Sequence, residues 1–496
     1  MENTGGIEVV NANLAYQSDV FDNLEVIIAE NPLKWSEVSL SDVISHGKRL
    51  EASVFDVETK QAYRNIEKCK YASVNLIGKN CPVKIAHYGG RLKRNYVEKE
   101  NSRAIGFIGS SEMLDINPRP VKYMVNDERV QDLHVKRGTV LISRSGTIGN
   151  MAFVNKTLEK FLISEHAMRL ECDDNPGYVY AYLKSKTGQT LIRSNIYGSV
   201  IQQIEPEHLE TIPIPNAPMK LKTKINDLII RSYDLRDESN YLTDKATEML
   251  IDELHLSDID NIEFKKDTKL KSFSVKLSHM DGRADASYHR PIIDVIRNQL
   301  FKYAKEVTSI ADERVSKAVI LPGRFKRVYV DEGFGRIFIG GKQLWELDPS
   351  NKKYLSLAQH SDRIEEQLEL HENMTLITCS GTVGKVALVG KQWENWTANQ
   401  HIIRVVPASE EIAGYLNIFL ASDYGNALIT RYIYGAVIDE IDDMHVRQIP
   451  IPLLKNYKVQ EKINMLALEA NRKRYEAYCF EQEALQIIDK EVVFAK

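Results

Sequence analysis

The amino-acid sequence predicts an α+β fold: two sheet-rich domains in tandem, joined by long antiparallel coiled-coil helices and related by a pseudo-twofold axis. Three observations support this prediction. A set of motifs occurs twice in the same order, short β-like segments fill each copy, and apolar residues at seven-residue spacing follow each copy. At 496 residues the chain is long enough for about two to four separately packed domains.

Six pairs of matching segments define the duplication. The octapeptide GRLKRNYV at 90–97 shares six of its eight letters with GRFKRVYV at 323–330. The other pairs are RLEAS with RADAS, FIGSSEM with FIGGKQL, LISRSGTIGNMA with LITCSGTVGKVA, EHAMRL with QHIIRV, and the block 177–215 with the block 414–452. All pairs keep the same order at a separation of about 231 to 238 residues, which chance does not produce.

The repeats divide the chain into five parts. We expect an N-terminal extension, a first domain, a central spacer helix, a second domain and a C-terminal spacer helix, over residues 1–30, 31–215, 216–271, 272–452 and 453–496. Within each domain, the segment around SGTIG or SGTVG predicts a strand, a turn and a strand. The segments that begin at PGYVYAYL and AGYLNIFL predict a helix broken at a glycine.

The segments after each repeat have the heptad spacing of coiled-coil helices. The residues that we expect to pack are Leu221, Ile225, Leu228, Leu235, Leu242 and Met249 in the first helix, and Ile463, Leu466, Ala470, Ala477, Phe480 and Ala484 in the second. One seam consists of small Ser and Ala residues, which would allow a close antiparallel approach. About 35 helical residues would span roughly 50 Å. The alternative is that each helix docks only on its own domain.

Composition and motifs narrow the function classes. Hydrophobic residues at 43% and charged residues at 27% are typical of a soluble globular protein, and five scattered cysteines favour a reduced, cytoplasmic chain. A net charge of -4 means that any nucleic-acid surface must come from clustered cations. The sequence contains no Pro-Pro for an amino-methyltransferase loop, no glycine-rich dinucleotide loop and no GxxxxGK[ST] phosphate loop. We therefore expect a chain that is not itself an enzyme.

Two further motif types recur in both copies. His166 and His401, and likewise His208 and His445, have no nearby Cys or paired carboxylates, so we expect hydrogen-bonded structural histidines and no metal. The SGTIG and SGTVG segments fit a backbone cradle for phosphate. They fit a hairpin turn that requires positive φ equally well.

The octapeptide carries three cations within four residues and a tyrosine two positions later. In an extended chain, Arg91 and Lys93 share one face while Arg94 lies on the other. Arginine suits bidentate contact to phosphate or guanine, and tyrosine can bond phosphate. A solvated edge strand protected by its charges is the alternative. The occurrence of two equivalent copies favours contact with nucleic acid.

The ordered motifs R-x-[DE]-A-S, GRxKRxYV, FIG, LI-x-x-SGT[IV]G, [EQ]H-x-x-R and YG-x-VI…IPIP resemble those of the specificity (S) subunit of type I restriction-modification systems. The resemblance covers about residues 31–496. One departure is that Gln460 of VQEKI corresponds to Lys222 in the first copy.

The resemblance implies that each repeat is a target-recognition domain that reads one half of a bipartite, asymmetric sequence in double-stranded DNA. The helices would be spacers that dock two methyltransferase (M) subunits, which bind S-adenosylmethionine. Restriction/helicase (R) subunits, which use Mg²⁺ and ATP, would join them. The residues that we expect to contact DNA are Arg49, Arg91, Lys93, Arg94, Tyr96, Arg144, Ser145, Thr147 and Tyr197 in the first copy, and Arg283, Arg324, Lys326, Arg327, Tyr329, Ser380, Thr382 and Tyr434 in the second.

Two alternatives stay open at this point. The chain could be the specificity subunit of another restriction-methylation or phage-defence system, with different catalytic partners. It could instead be a duplicated scaffold that binds proteins, in which case the basic patches would be incidental.

Overall fold

The computed structural model describes residues 37–45, 48, 50, 52–198, 202–256, 272–350 and 352–495. Its described residues form two compact units. Unit 1 is drawn from Met1–Leu114, Pro118–Arg231 and Phe480–Lys496, and unit 2 from Asp115–Asn117 and Ser232–Cys479. No described helix is both long enough and apolar enough to cross a membrane.

The described residues of unit 1 form three small sheets and the helices that cover them. Its strands are β1 Ser73–Asn75, β2 Val83–His87, β3 Tyr96–Val97, β4 Ala104–Ile108, β5 Lys122–Val125, β6 Val140–Ser143, β7 Met151–Phe153, β8 Leu162–Ile163, β9 Ala167–Cys172 and β10 Pro213–Pro215. Its helices are α1 Leu40–Ser45, α2 Val57–Glu67, α3 Pro176–Lys184, α4 Lys186–Ser194 and α5 Pro206–Glu210. The long helix α6, Met219–Glu253, begins in this unit.

Unit 2 repeats this element order, with one described α-helix before its first strand and an additional helix between its fifth and sixth strands. Its strands are β11 Ala304–Ser309, β12 Ser316–Ile320, β13 Tyr329–Val330, β14 Gly335–Ile339, β15 Lys353–Ser356, β16 Thr375–Thr378, β17 Val386–Leu388, β18 Thr397–Ala398, β19 Ile402–Pro407 and β20 Pro450–Leu454. Its helices are α7 Pro291–Tyr303, α8 Leu357–Arg363, α9 Glu410–Ala421, α10 Asp423–Thr430 and α11 Asp443–Arg447. The second long helix, α12 Tyr457–Ile487, begins here.

The strand order is the same in both units. Unit 1 has the sheets β2-β9-β6-β7, β3-β5-β4-β8 and β1-β10, and unit 2 has β12-β19-β16-β17, β13-β15-β14-β18 and β11-β20. All pairs are antiparallel except β4 with β8 and β14 with β18, which are parallel in both copies. The duplication in sequence is therefore a duplication in topology, and the predicted α+β class is confirmed.

The central strand β16 shows where the core of a unit lies. Leu376 packs in a cluster with Ile339 and Ile402, between the two four-stranded sheets. Its neighbour Ile377 points the other way, into a cluster that contains Leu416 and Phe419 of α9. Because alternate side chains of a strand point to opposite faces, this strand must be apolar on both faces.

The predicted helix break at a glycine is wrong in its position. Helices α3 and α4 separate at Ser185, three residues before Gly188, and α9 and α10 separate at Ser422. Each serine is an N-cap whose Oγ accepts a hydrogen bond from a glycine N–H, at 3.2 Å for Gly188 and 3.1 Å for Gly425. The glycine is needed for a different reason, since its missing side chain lets the second helix approach the first.

Each long helix begins by packing on its own repeat. Asn226 of α6 accepts a hydrogen bond from the Gly177 N–H at 3.0 Å, and Asn464 of α12 accepts the equivalent bond from Gly414 at 2.8 Å. A Cβ on Gly177 would lie 2.9 Å from the Asn226 backbone, so glycine permits this close approach. The docking of each helix on its own domain, the alternative weighed from the sequence, therefore does occur at the start of each helix.

The two long helices also pack on each other, as their contacts within unit 2 show. Ser232 Oγ donates to the Ala477 carbonyl at 2.7 Å, and Lys473 Nζ contacts Glu238 Oε2 at 2.6 Å. Because residue numbers rise along α6 as they fall along α12, the pair is antiparallel. The small residues Ser232, Ser239, Ala246, Ala470 and Ala477 are the buried line, whereas Leu228, Leu242 and Met249 of the leucine line are only half-buried.

A buried ion pair fixes the end of α12 in unit 1. Glu481 is 0% exposed, and its Oε1 accepts hydrogen bonds from Tyr180 at 2.6 Å and from Lys184 at 2.8 Å. In unit 2 the positions of Tyr180 and Lys184 hold Asn417 and Ala421. Buried polar partners of this kind specify the register of a helix more than they add stability, because burial removes both charges from water.

We predict that Glu481→Ala weakens the packing of residues 480–487 of α12 within unit 1. The change leaves the Lys184 ammonium buried without its carboxylate, which should lower the free energy of local opening by about 3 kcal/mol. Hydrogen exchange of the backbone amides of residues 480–487 measures this opening. Glu483→Ala, at an exposed position of the same helix, is the matched control. Equal exchange rates in both variants would contradict the prediction.

Candidate nucleic-acid interface

Four motifs that are distant in the sequence meet at one place in unit 1. They are the octapeptide at 90–97, the pair Glu165–His166, the SGT turn at 145–147, and the segment 197–203, which we call the Tyr-Gly loop. We call this set the motif cluster. Arg94 Nη2 donates to Glu165 Oε1 at 2.6 Å, and Ser145 Oγ lies 2.7 Å from His166 Nδ1. The Tyr-Gly loop joins them because Gln203 forms β-bridges with both Ser145 and Tyr197.

Unit 2 assembles its own motif cluster from the equivalent residues. Arg327 Nη2 donates to Gln400 Oε1 at 2.8 Å, which reproduces the pairing of Arg94 with Glu165. Glu440 forms β-bridges with both Ser380 and Tyr434, and its carboxylate lies 3.5 Å from Arg324 Nη2. Both units therefore bring the same four motifs together.

The octapeptide presents some of its cations to solvent and uses another as an anchor. Arg91 and Lys93 are exposed in unit 1, as are Arg324 and Lys326 in unit 2. Arg94, the residue after Lys93, is half-buried and lies over the Phe107 ring at 4.9 Å. Arg327 likewise lies 5.6 Å from the ring of Phe338. The outward cations form the charged surface and the inward arginine fixes the strand that carries them.

The octapeptide tyrosines are exposed but held in place. Tyr96 packs edge-on against Phe107 at 6.4 Å, with Lys122 over its ring at 5.1 Å. Tyr329 makes the same contacts with Phe338 at 5.9 Å and with Lys353 at 5.2 Å. Because packing restricts each ring, the tyrosine can contact a ligand at a small cost in side-chain entropy.

A fully buried arginine supports each cluster, and sequence reasoning did not single it out. Arg169 is 1% exposed and donates to the carbonyls of Ser164 at 3.2 Å, Ala167 at 2.5 Å, Ile163 at 2.6 Å and Leu133 at 3.3 Å. Since Arg169 lies on β9 and Ile163 on β8, one guanidinium joins two sheets. Burial lowers the pKa of Arg169 to about 10, and the group stays charged at neutral pH.

Arg404 does the same in unit 2. It donates to the carbonyls of Asn399 at 3.1 Å, Ile402 at 2.5 Å and Leu368 at 3.2 Å, and to that of Ala398 on β18. Burial lowers its pKa to about 9. The one available signal in the sequence was the arginine that ends [EQ]H-x-x-R in both copies, and sequence alone does not show that it is buried.

Arg144, expected to contact DNA, is 4% exposed and forms an ion pair with Glu205. Its guanidinium also stacks on Tyr88 at 3.9 Å, and the Tyr197 hydroxyl donates to Glu205 at 2.8 Å. Burial alone would raise the pKa of Glu205, but hydrogen bonds from Tyr197 and Tyr88 and the charge of Arg144 lower it below its ordinary value. The structure thus places Arg144 beneath the surface, where it can position Tyr197 and Gln203.

The equivalent interior in unit 2 has different chemistry. Cys379 replaces Arg144, and burial raises the pKa of its thiol to about 12, so the group is neutral. His401 lies beside it, and both burial and the nearby Arg327 lower the pKa of this imidazole. Beneath the motif cluster there is therefore the ion pair of Arg144 and Glu205 in unit 1, and the neutral thiol of Cys379 in unit 2.

The SGT segments are hairpin turns. They join β6 to β7 and β16 to β17, with φ of 77° at Gly146 and 75° at Gly381. Positive φ explains the glycine at this position. Thr147 and Thr382 are exposed at the tips of the turns, whereas Ser145 and Ser380 are half-buried.

Two further arginines expected to contact DNA are Arg283 and its counterpart Arg49. Arg283 clamps its segment onto unit 2 by donating to the carbonyls of Tyr432 at 3.3 Å and Ile433 at 3.1 Å, and it pairs with Asp285. Its contacts are therefore those of an anchor. Its counterpart in the first repeat, Arg49, lies outside the described residues.

The histidines and the departing glutamine have local structural contacts. His208 Nδ1 accepts from the Glu205 N–H at 3.1 Å and His445 Nδ1 from the Asp442 N–H at 3.4 Å, each in a capping box. Gln460 accepts from the Leu454 N–H at 2.9 Å, while Lys222 donates to Asn216 at 2.6 Å. The sequence departure is therefore a change of the bond that joins the long helix to the end of the strand before it, or to the residue just after that strand. Among the described residues, no group of three His, Cys, Asp or Glu side chains is placed to hold a metal.

Comparison with known proteins gives one match in sequence. Residues 32–235 match the family of type I restriction modification DNA specificity domains. This match confirms, for the first repeat, the resemblance to type I specificity subunits. No curated protein sequence matches the chain.

Three solved structures are similar to the chain at low identity. The type I restriction-modification S subunit from M. genitalium has 11% identity, with 86% of this chain and 96% of that chain covered and a TM-score of 0.33. The HsdS subunit from Thermoanaerobacter tengcongensis has 13% identity, 82% and 94% coverage and a TM-score of 0.25. A chain studied for complex assembly and conformational transition of the type I R-M system has 12% identity, 81% and 95% coverage and a TM-score of 0.26.

We predict that Arg169→Lys loosens unit 1 alone. A lysine ammonium has three donors and no planar fork, so it cannot bond four separate carbonyls as Arg169 does. Carbonyls left unpaired in the interior should lower the local opening free energy by about 3 kcal/mol. Hydrogen exchange of residues 162–172 measures the loss, and Arg404→Lys is the matched variant that should affect only residues 397–407. An unchanged exchange pattern in both would contradict the role of the buried arginine.

Proposed function

We propose that this chain is the DNA sequence-recognition subunit of a type I restriction-modification complex; its residues 32–235 match the family of type I restriction modification DNA specificity domains. The observation that carries the proposal is the motif cluster, which occurs in both units with a pair of exposed octapeptide cations. Phosphate contacts from such cations supply most of the affinity of a DNA-binding surface. A protein with net charge -4 needs the cations to be concentrated in this way.

The second repeat has the same role as the first in this proposal. Support comes from the identical strand order of the two units and from the equivalent bonds of Arg94 and Arg327. Where the units differ, as at Arg144 and Cys379, they differ beside the motif cluster. Each unit therefore reads one half of a bipartite target, and the two halves have different sequences.

The octapeptide cations would contact phosphates. In unit 1 these are Arg91 and Lys93, next to the exposed ring of Tyr96 and the threonine at the tip of the SGT turn. In unit 2 they are Arg324 and Lys326. Four other arginines would not contact DNA themselves but would hold this surface in place: the half-buried Arg94 and Arg327, the buried Arg144 and the clamped Arg283. Base contacts that give specificity would come from side chains of the same cluster.

Catalysis belongs to partner subunits in this proposal, and the chain itself is not an enzyme. Long helices α6 and α12 would act as spacers and dock two methyltransferase (M) subunits, which bind S-adenosylmethionine. Restriction/helicase (R) subunits would use Mg²⁺ and ATP. Support for the helical part is the length of α6 and α12, 35 and 31 residues, and their antiparallel contact.

We predict that Arg91→Ala with Lys93→Ala weakens DNA binding by the complex assembled with its partner subunits. Loss of two phosphate contacts should reduce the slope of log K against log salt by about 1.8. Fluorescence anisotropy over a series of salt concentrations measures both quantities. Lys136→Ala with Lys160→Ala removes two exposed charges that belong to none of the four motifs and is the matched control. The same affinity and slope in both double variants would refute the assignment of the octapeptide.

A further inference from the structure

Gln203 and Glu440 occupy the same position in the two motif clusters. The Gln203 backbone exchanges two hydrogen bonds with Tyr197, at 2.9 and 3.0 Å, and the Glu440 backbone exchanges the same two bonds with Tyr434, at 2.8 and 3.0 Å. Each residue also bridges to the serine of its SGT turn. The backbone therefore presents two side chains of equal length at one place, one an amide and the other a carboxylate.

The surroundings give the two side chains opposite hydrogen-bonding character. In unit 1 the Arg144 guanidinium, held from below by Glu205, donates to Gln203 Oε1 at 3.4 Å. This contact is long for a hydrogen bond but turns the amide oxygen toward Arg144, so the Nε2 amino group is the donor that remains for a ligand. In unit 2 the thiol of Cys379 replaces that guanidinium, and Glu440 is a carboxylate that only accepts hydrogen bonds.

The contacts of Glu440 leave it able to accept further bonds. Its Oε1 lies 3.3 Å from Ser380 Oγ and 3.5 Å from Arg324 Nη2, and its side chain is 30% exposed. The arginine is 82% exposed, so this ion pair is at the surface and long for a charge-assisted bond. Such exposed pairs contribute little stability. Because this ion pair adds little stability, pairing with Arg324 does not by itself explain why a carboxylate lies on a surface that would contact phosphates.

Bases differ in the groups that they show to such side chains. In the major groove, cytosine and adenine present an amino group, whereas guanine and thymine present carbonyl oxygens. A carboxylate bonds an amino group and is repelled by a carbonyl oxygen. An amide whose oxygen faces Arg144 offers a donor, which bonds the O6 of guanine or the O4 of thymine; the N7 acceptor, which guanine and adenine share, does not distinguish those two bases.

We propose that Gln203 and Glu440 are equivalent specificity-determining residues, an inference that rests on the proposed function. Glu440 accepts a hydrogen bond from the amino group of a cytosine or adenine in one half-site. Gln203 donates to a guanine or thymine in the other half-site. The same backbone position thereby selects opposite classes of base, in unit 2 through the carboxylate itself and in unit 1 through an amide whose oxygen faces Arg144.

The test is selection of DNA from a pool randomised in both half-sites, using the full chain assembled with its partner subunits. We expect Glu440→Gln to remove the preference for an amino-bearing base at one position of one half-site. The loss should be roughly ten- to hundredfold in relative affinity, as is usual for one base contact. The other half-site should be unchanged. Gln203→Glu should change the base preference at one position of the opposite half-site. This second variant tests the inference independently if Glu440→Gln fails to assemble.

Controls separate this inference from the function on which it rests. Glu411→Gln, an exposed carboxylate on α9, should leave selection unaltered, and Arg324→Ala should weaken binding to all sequences alike. If the unaltered complex selects no sequence, the proposed function fails. If it selects a sequence and Glu440→Gln keeps the same bases, weakens all sequences equally or alters both half-sites, only the present inference is overturned.

Discussion

The buried guanidinium of Arg169 in unit 1, and of Arg404 in unit 2, is the interaction on which each motif cluster depends. Each arginine joins the strand that carries it to a strand of the second sheet through backbone carbonyls. The segment between those two strands contains the pairs Glu165–His166 and Gln400–His401, which hold the octapeptide and adjoin the SGT turn. A loss of the buried charge would therefore disturb the surface and the core together.

The cost of such a buried charge explains its geometry. An isolated cation in an apolar interior is expensive unless its donors are bonded. Here Nη1 and Nη2 bond carbonyls, which carry no charge, while the Nε of each arginine has no partner among the described residues, and burial lowers the pKa of both groups. Arginine tolerates this shift because its ordinary pKa is far above neutrality, whereas lysine would be closer to losing its proton. A buried guanidinium that bonds backbone carbonyls can therefore stay charged at this position in both copies.

Sequence reasoning succeeded where repetition carried the information. The order of motifs gave the duplication, and the heptads gave two long helices whose antiparallel contact runs through Ser232 and Ala477. It could not show that Arg94 and Arg144 lie inward, because burial depends on partners such as Glu165 and Glu205 that are far away in the chain. It also placed a helix break at Gly188 instead of Ser185, since an N-cap serine and a close-approach glycine give similar local signals. The meeting of four motifs at one cluster required the fold.

The central claim is that two similar readers in one chain recognise two different half-sites. Sequencing of methylated adenines in cells that carry this gene with its neighbours, and in cells from which it has been deleted, tests that claim most directly. The account predicts methylation at two short, unlike sequences separated by a fixed gap, all of it lost on deletion. Methylation of one continuous or symmetric sequence, or methylation that persists without this chain, would contradict it.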